Sequence, residues 1–254
     1  MWHRCYLALA DIGIIMRVTS PILISLHMPK TAGSSFGLAL RREYGQSYVE
    51  DYNDRPLQER APARVGRALA HAGANMMGLD ADASTSCIHG HFLPVKYRFM
   101  RQPTLFVTWL RDPVERLASH YQYWRRSYDP ESALPLHAKV VEEDWSFEQF
   151  YEAPQLRNLY GKFLWGFPAT RFSFIGISEY YEQELERFAS SVATFSASLE
   201  PVRVNENPGQ PAMYVRDEQQ RREIERFHAG DVALYQNACR LRLAALACQE
   251  QSNE

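Results

Sequence analysis

The chain has 254 residues, 46% of them hydrophobic and 23% charged, with a formal net charge of −2. That length and composition fit a folded domain with a sizeable core and exclude a disordered chain. The near-balance of charge also excludes the global positive field that draws nucleic acid, while leaving room for a local basic pocket.

The four cysteines, Cys5, Cys87, Cys239 and Cys248, have no CxxC or other ligand spacing. They fit a reduced, cytosolic protein better than a disulfide scaffold. No stretch reaches the roughly 20 apolar residues of a membrane-spanning helix. The apolar patch 5–16 is short, carries Asp11 and lacks a small-residue cleavage site, so a signal peptide is not expected. Residues 1–19 are read as an N-terminal extension of unknown role and 20–249 as a single domain; Met16 is an alternative start, which leaves residues 1–15 without an assigned role.

The chain's most informative stretch is 21–44. The run Ile22–Leu26 has the length of a buried parallel strand. The loop His27-Met28-Pro29-Lys30-Thr31-Ala32-Gly33-Ser34 follows, and a helical pattern begins near Phe36 with Ser34 or Ser35 as its N-cap. Such a turn leaves backbone N–H groups converging on one spot, where the helix dipole and Lys30 favour an anion. The spacing is not that of the Walker A motif, because a single Gly33 follows Lys30 by three positions. An ordinary connection with a solvated Lys30 fits the same residues.

Residues 46–62 read as a surface loop and 63–72 as a helix with Val65, Leu69 and Ala72 on one side; a loop is expected over 73–86. Residues 86–92 then read as a short strand. In extended backbone His89 and His91 share a face. Three roles are open to them: a metal site, for which no third ligand has a recognisable spacing; acid–base chemistry; or local hydrogen bonding.

The run Thr104–Leu110 (TLFVTWL) is the clearest strand. It ends in Arg111-Asp112-Pro113, with Asp112 as N-cap and Pro113 in the first turn of a helix over 114–126. Val114, Leu117, Tyr121 and Trp124 form its apolar stripe, and Ser119 falls off that stripe. Arg111 lies where open α/β sheets bind ligands, at the carboxyl end of a parallel strand. A structural ion pair is its alternative role.

Further on, a loop covers 128–135 and Ser146-Phe147-Glu148-Gln149 is a capping box. A helix is expected over 155–165, a strand over 171–178, and a helix over 179–193 with Leu185 and Phe188 inward. Residues 201–211 read as a loop, and 215–248 as helical throughout.

Two of these stretches resemble, in the right order, the cofactor segments of carbohydrate sulfotransferases related to heparan sulfate 2-O-sulfotransferase. The segment LHMPKTAGSSF (residues 26–36) is similar to the family's HIPKTAGST-type loop, which holds the 5′-phosphosulfate of 3′-phosphoadenosine 5′-phosphosulfate (PAPS). That likeness implies cofactor binding by Lys30, Thr31, Ala32, Gly33, Ser34 and Ser35. The segment FVTWLRDPVERLASHY (residues 106–121) resembles the 3′-phosphate segment, implying that Arg111 and Ser119 hold that phosphate. The His-Gly-His stretch falls between them, where relatives carry the base for the acceptor hydroxyl, so His91 is the first candidate and His89 the second. Softer echoes are Leu156-Arg157-Asn158, the loop with Arg203, Asn205 and Asn207, and the DVALY segment at 231–235.

The resemblance implies a three-layer α/β, P-loop-like fold around a parallel sheet, with PAPS as co-substrate and PAP as product. It further implies a hydroxyl acceptor, a saccharide or glycolipid, with no metal, no nucleic acid and no membrane span. The family's animal members carry an N-terminal anchor; this chain's lack of one fits a bacterial-type, cytoplasmic enzyme. Two other readings compete: a P-loop-type kinase acting on a small molecule, which needs a complete Walker A and a magnesium carboxylate, and a non-catalytic nucleotide- or glycan-binding protein.

Overall fold

The computed structural model describes residues 20–54, 57, 61–78, 84–192 and 213–252. Its centre is a five-stranded, all-parallel sheet of strands β1 (Ile22–Leu26), β2 (Tyr48–Asp51), β3 (Cys87–Gly90), β4 (Thr104–Leu110) and β5 (Phe174–Ile177). Their spatial order is β2-β3-β1-β4-β5. Helices cover both faces, giving a three-layer α/β architecture of P-loop-like topology in which the central strand feeds the first loop and helix.

The two-residue period of the strands sorts their side chains into two cores. Ile22, Ile24 and Leu26 of β1 and Phe106 and Leu110 of β4 pack with α6 (Leu159–Phe163) and α9 (Ala229–Ser252). Leu23, Val107 and Trp109 face the other way, onto Phe36 and Leu40 of α1 (Gly33–Tyr44) and Leu185 and Phe188 of α7 (Tyr181–Ser191). Because β1 and β4 are buried on both faces, they read as continuous apolar runs. A third cluster joins α3 (Pro113–Arg126) to α4 (Pro135–Glu142), α5 (Phe147–Glu152) and α8 (Glu218–Phe227) through Val114, Leu117, Val140, Phe150 and Ile224.

The helix starts at 113 and 147 follow their sequence signals. Asp112 accepts from the N–H groups of Val114 and Glu115 at 3.0 Å, and Ser146 and Gln149 form a reciprocal capping box. Other elements differ. Residues 48–51, expected in a surface loop, form the edge strand β2; its Val49 and Glu50 are exposed, so it lacks a buried strand's apolar signature. Helix α2 runs over Ala61–Met77, and it buries Arg64, Ala68, Ala72 and Asn75 while Leu69 is exposed.

The helix expected over 155–165 shrinks to α6 because Asn158 is left-handed, with φ 47°, and breaks any helix through it. The strand expected over 171–178 narrows to β5. Residues 215–248 are not one helix: α8 ends and α9 begins at buried His228. There Nε2 donates to the Tyr151 carbonyl at 2.8 Å, and Nδ1 accepts from Asn158 N–H at 3.3 Å. The extension 1–19 and the loop with Arg203, Asn205 and Asn207 lie outside the described residues. No described helix is long and apolar enough to cross a membrane.

Gly90 fixes where β3 meets the edge strand. A Cβ there would lie 1.8 Å from the Asp51 carbonyl oxygen, and Asp51 is pinned by Lys96 Nζ at 2.5 Å and by the Tyr97 hydroxyl at 2.6 Å. Gly90→Ala therefore has to separate β2 from β3. It should lower stability by about 2–3 kcal/mol, read as a shift of the urea midpoint, and a loss below about 0.5 kcal/mol would contradict this packing.

Candidate active site

In a parallel sheet, neighbouring strands end at the same edge. Leu26 pairs with Thr108 and with Gly90, so the loops after β1, β3 and β4 emerge side by side. Thr108 Oγ1 adds a bond to the Leu26 carbonyl at 3.0 Å, tying the two central strand ends together. Lys30, His91 and Arg111 each lie just beyond one of these ends.

The Lys30 loop has backbone geometry that its sequence does not announce. Lys30 (φ 65°) and Ala32 (φ 66°) are both left-handed, whereas Thr31 between them is not. Alternation of this kind turns successive N–H groups toward one concavity and forms an anion nest. The strain of two left-handed non-glycine residues, of order 1–3 kcal/mol each, is typical of functional sites. Helix α1 begins at Gly33 with Ala32 as N-cap and no side-chain cap, correcting the expected cap at Ser34 or Ser35. Ala32 offers no side-chain oxygen to the amides of the first turn. Ser34 is exposed there, Ser35 is buried, and Thr31 donates to the Met28 carbonyl at 2.9 Å, which braces the loop.

Lys30 Nζ lies 4.2 Å from the centre of the Tyr123 ring. Burial, then the nearby charges of Arg111 and Arg126, lower its pKa to about 8. Among the described residues no carboxylate forms an ion pair with Lys30, Arg111 or Arg126, whereas neighbouring Arg125 is paired with Asp144 at 2.7 Å. Lys30, Arg111 and Arg126 thus gather positive charge at this edge, with Glu179 close enough to Arg111 for the two to interact electrostatically, and make it a candidate site for a multiply charged anion. Ser119, expected off the buried stripe, is in fact buried. It shares a face of α3 with Tyr123 and Arg126, at i, i+4 and i+7, and that face carries Tyr123 to Lys30.

Beside the nest lies a cluster of three histidines. The His27 ring is 4.4 Å from that of His91 and 5.2 Å from that of His89, and Tyr52 Oη is 3.1 Å from His27 Nδ1. Only glycine lets α1 start against this cluster, since a Cβ on Gly33 would lie 1.9 Å from His27 Cδ2.

The expected common face of His89 and His91 does not hold, because β3 ends at Gly90. His89 points to the α1 side, bonded through Nδ1 to Ser25 Oγ at 2.8 Å, and is almost fully buried. His91 instead meets Phe163 of α6, at 5.8 Å between ring centres, and stays partly accessible. Its Nδ1 donates to the His27 carbonyl, which fixes the tautomer that leaves a lone pair on Nε2. Burial pushes the pKa of His91 down to about 4 and of His89 down to about 3, so both are neutral at neutral pH. Of the two, only His91 has the access a base needs. Among the described residues no group of three or more His, Cys, Asp or Glu is arranged to hold a metal ion.

Sequence reading missed His27, Tyr52 and Arg126. A signal existed for His27, the first residue past a strand end and beside the cationic loop. Tyr52 and Arg126 reach the site only through the position of β2 and the length of α3.

No protein-family model matches the chain, and no curated protein matches it. Among solved structures it is similar to a sulfotransferase from Alicyclobacillus acidocaldarius, at 15% identity and a TM-score of 0.43, over 85% of this chain and 94% of that one.

An anion beside Lys30 stabilises its charged form, so binding takes up a proton wherever the free amine is neutral. Sulfate keeps one charge state over the range and isolates the lysine. Its affinity should hold below pH 8 and then fall by up to about tenfold per pH unit above it. Lys30→Arg, which does not titrate there, should flatten that decline. Calorimetry from pH 7 to 9.5 reads both, and a flat wild-type profile would remove Lys30 from the site.

Proposed function

We propose that the chain is a PAPS-dependent sulfotransferase that transfers a sulfuryl group to a hydroxyl acceptor, a saccharide in our reading. The observation that carries this reading is the juxtaposition of two cationic turns on the adjacent ends of β1 and β4 with a neutral, partly accessible histidine at the end of β3, on the other side of the Lys30 turn. A nucleotide bearing anionic groups at both its 5′ and 3′ positions has the charge distribution such an edge complements.

In this reading Lys30 and the backbone N–H groups of residues 31–35 hold the 5′-phosphosulfate, and Arg111 and Ser119 hold the 3′-phosphate. A start of α1 with no side-chain cap, and cations that no carboxylate contacts in an ion pair among the described residues, fit such a ligand. PAPS supplies an activated sulfuryl group whose bond to the phosphate oxygen breaks as the acceptor oxygen bonds to sulfur, releasing PAP. His91 Nε2 takes the acceptor's proton, with the His27 carbonyl holding the ring in the required tautomer. Lys30 and the helix terminus offset the charge that grows on the departing phosphate. His89, enclosed against Ser25, positions the cluster and does not reach the acceptor.

The test is PAP binding and turnover in three proteins: wild type, Arg111→Ala and His91→Ala. Arg111→Ala should weaken PAP by about 2–5 kcal/mol and leave 5′-AMP nearly unchanged, since only PAP has the 3′-phosphate. Equal losses would remove Arg111 from that role. His91→Ala should lower kcat by about 10²–10⁴-fold with PAP affinity retained. For the wild type, kcat/KM should keep its plateau down to about pH 5 and fall toward pH 4, where His91 protonates; a fall centred near 6.5 would point to another base. Preference for ATP with magnesium would favour a kinase, and PAP binding without turnover on any hydroxyl acceptor a binding protein.

A further inference from the structure

The turn that presents Arg111 is held by side chains from outside β4 and α3. Backbone pairing of β4 ends at Leu110, opposite Ile177 of β5, so Arg111 has no partner in the sheet. Its peptide groups are met instead by Tyr160 of α6, which is fully buried. The Tyr160 hydroxyl donates to the Arg111 carbonyl at 2.6 Å and accepts from the Arg111 N–H at 3.1 Å. On either side, Ser178 Oγ donates to the Leu110 carbonyl at 2.7 Å, and Glu179 Oε1 accepts from Asp112 N–H at 2.8 Å. Tyr160 is itself anchored. Its N–H donates to Asp231 Oδ1 at 2.9 Å, and the buried Arg116 guanidinium lies 5.5 Å from its ring centre.

The N–H and C=O of one residue belong to the two peptide planes flanking its Cα. A single hydroxyl bonded to both therefore fixes φ and ψ together, and with them the direction in which the Arg111 side chain leaves the backbone. A guanidinium that grips a phosphate through two parallel bonds depends on that direction more than one acting as a diffuse charge.

We infer that Tyr160, supported by Ser178, is a positioning residue that sets how sharply this site distinguishes a nucleotide with a 3′-phosphate from one without it. The inference rests on the reading of Arg111 given above. The hydroxyl is not needed to fill the core, where the Tyr160 ring packs with Leu26, Phe106 and Leu110 in the same cluster, and phenylalanine preserves that ring.

Calorimetry of PAP and 5′-AMP on wild type, Tyr160→Phe, Arg111→Ala and the double variant tests it. Tyr160→Phe should weaken PAP about tenfold and 5′-AMP less than about twofold, the scale of one or two lost hydrogen bonds felt only through Arg111. In the Arg111→Ala background the same change should add nothing, because the group being positioned is gone. Ser178→Ala, at a less buried position, should shift the PAP to 5′-AMP ratio in the same direction by about threefold, and it supplies the measurement should Tyr160→Phe fail to fold. Equal losses for both nucleotides, or full additivity with Arg111→Ala, would reduce Tyr160 to a structural role. A wild-type preference for PAP that depends on Arg111 but survives both Tyr160→Phe and Ser178→Ala overturns this inference alone. A wild type that binds PAP no better than 5′-AMP overturns the Arg111 assignment and this inference with it.

Discussion

The parallel pairing of β1 with β4 is the constraint from which the site follows. It runs from Ile22 opposite Thr104 to Leu26 opposite Thr108 and places the two outgoing loops at one edge of the sheet. Both strands are buried on both faces, so slippage by one residue would exchange the two cores and is strongly disfavoured. The distance between the Lys30 and Arg111 turns is thereby set by the most rigid part of the molecule, although each residue itself lies in a loop. This is the common division between a scaffold and the loops it positions.

At that edge the molecule concentrates positive charge and then limits it. Burial, together with the charges of Arg111 and Arg126, draws down the pKa of Lys30, while burial keeps His27, His89 and His91 uncharged. Charged imidazoles there would repel one another and Lys30. Neutral ones pack as rings against each other and against Tyr52. The same burial thus serves both a candidate anion site and an unprotonated nitrogen beside it. These two properties are opposed in water, where a nearby anion favours the imidazolium.

The second turn shows a different means to rigidity. The Lys30 loop is held by its own backbone, with two left-handed residues and the Thr31 bond to Met28. The Arg111 turn is held from outside by Tyr160, Ser178 and Glu179, and Asp112 binds Arg221 of α8 at 2.5 Å. Residues from α6, from the segment after β5 and from α8 therefore all bear on the orientation of one arginine. Those elements are remote in sequence from 111, which is why no reading of the motif alone finds them.

The order of the amino acids alone carries the elements whose signals are local. These are the apolar runs of β1 and β4, the Asp112 and Ser146 caps, and the Lys30 and Arg111 turns as anion-binding candidates, since strand length, cap chemistry and cation placement are properties of a few adjacent residues. It misread β2, whose charged edge residues imitate a loop, and it joined α8 to α9 because the break at His228 depends on bonds to Tyr151 and Asn158. Packing between distant segments is what encloses His89, leaves His91 partly accessible, brings Arg126 and His27 to the candidate site and lets Tyr160 clasp Arg111. Burial, pKa and orientation arise from what packs around a group, and here the packing partners come from distant parts of the chain.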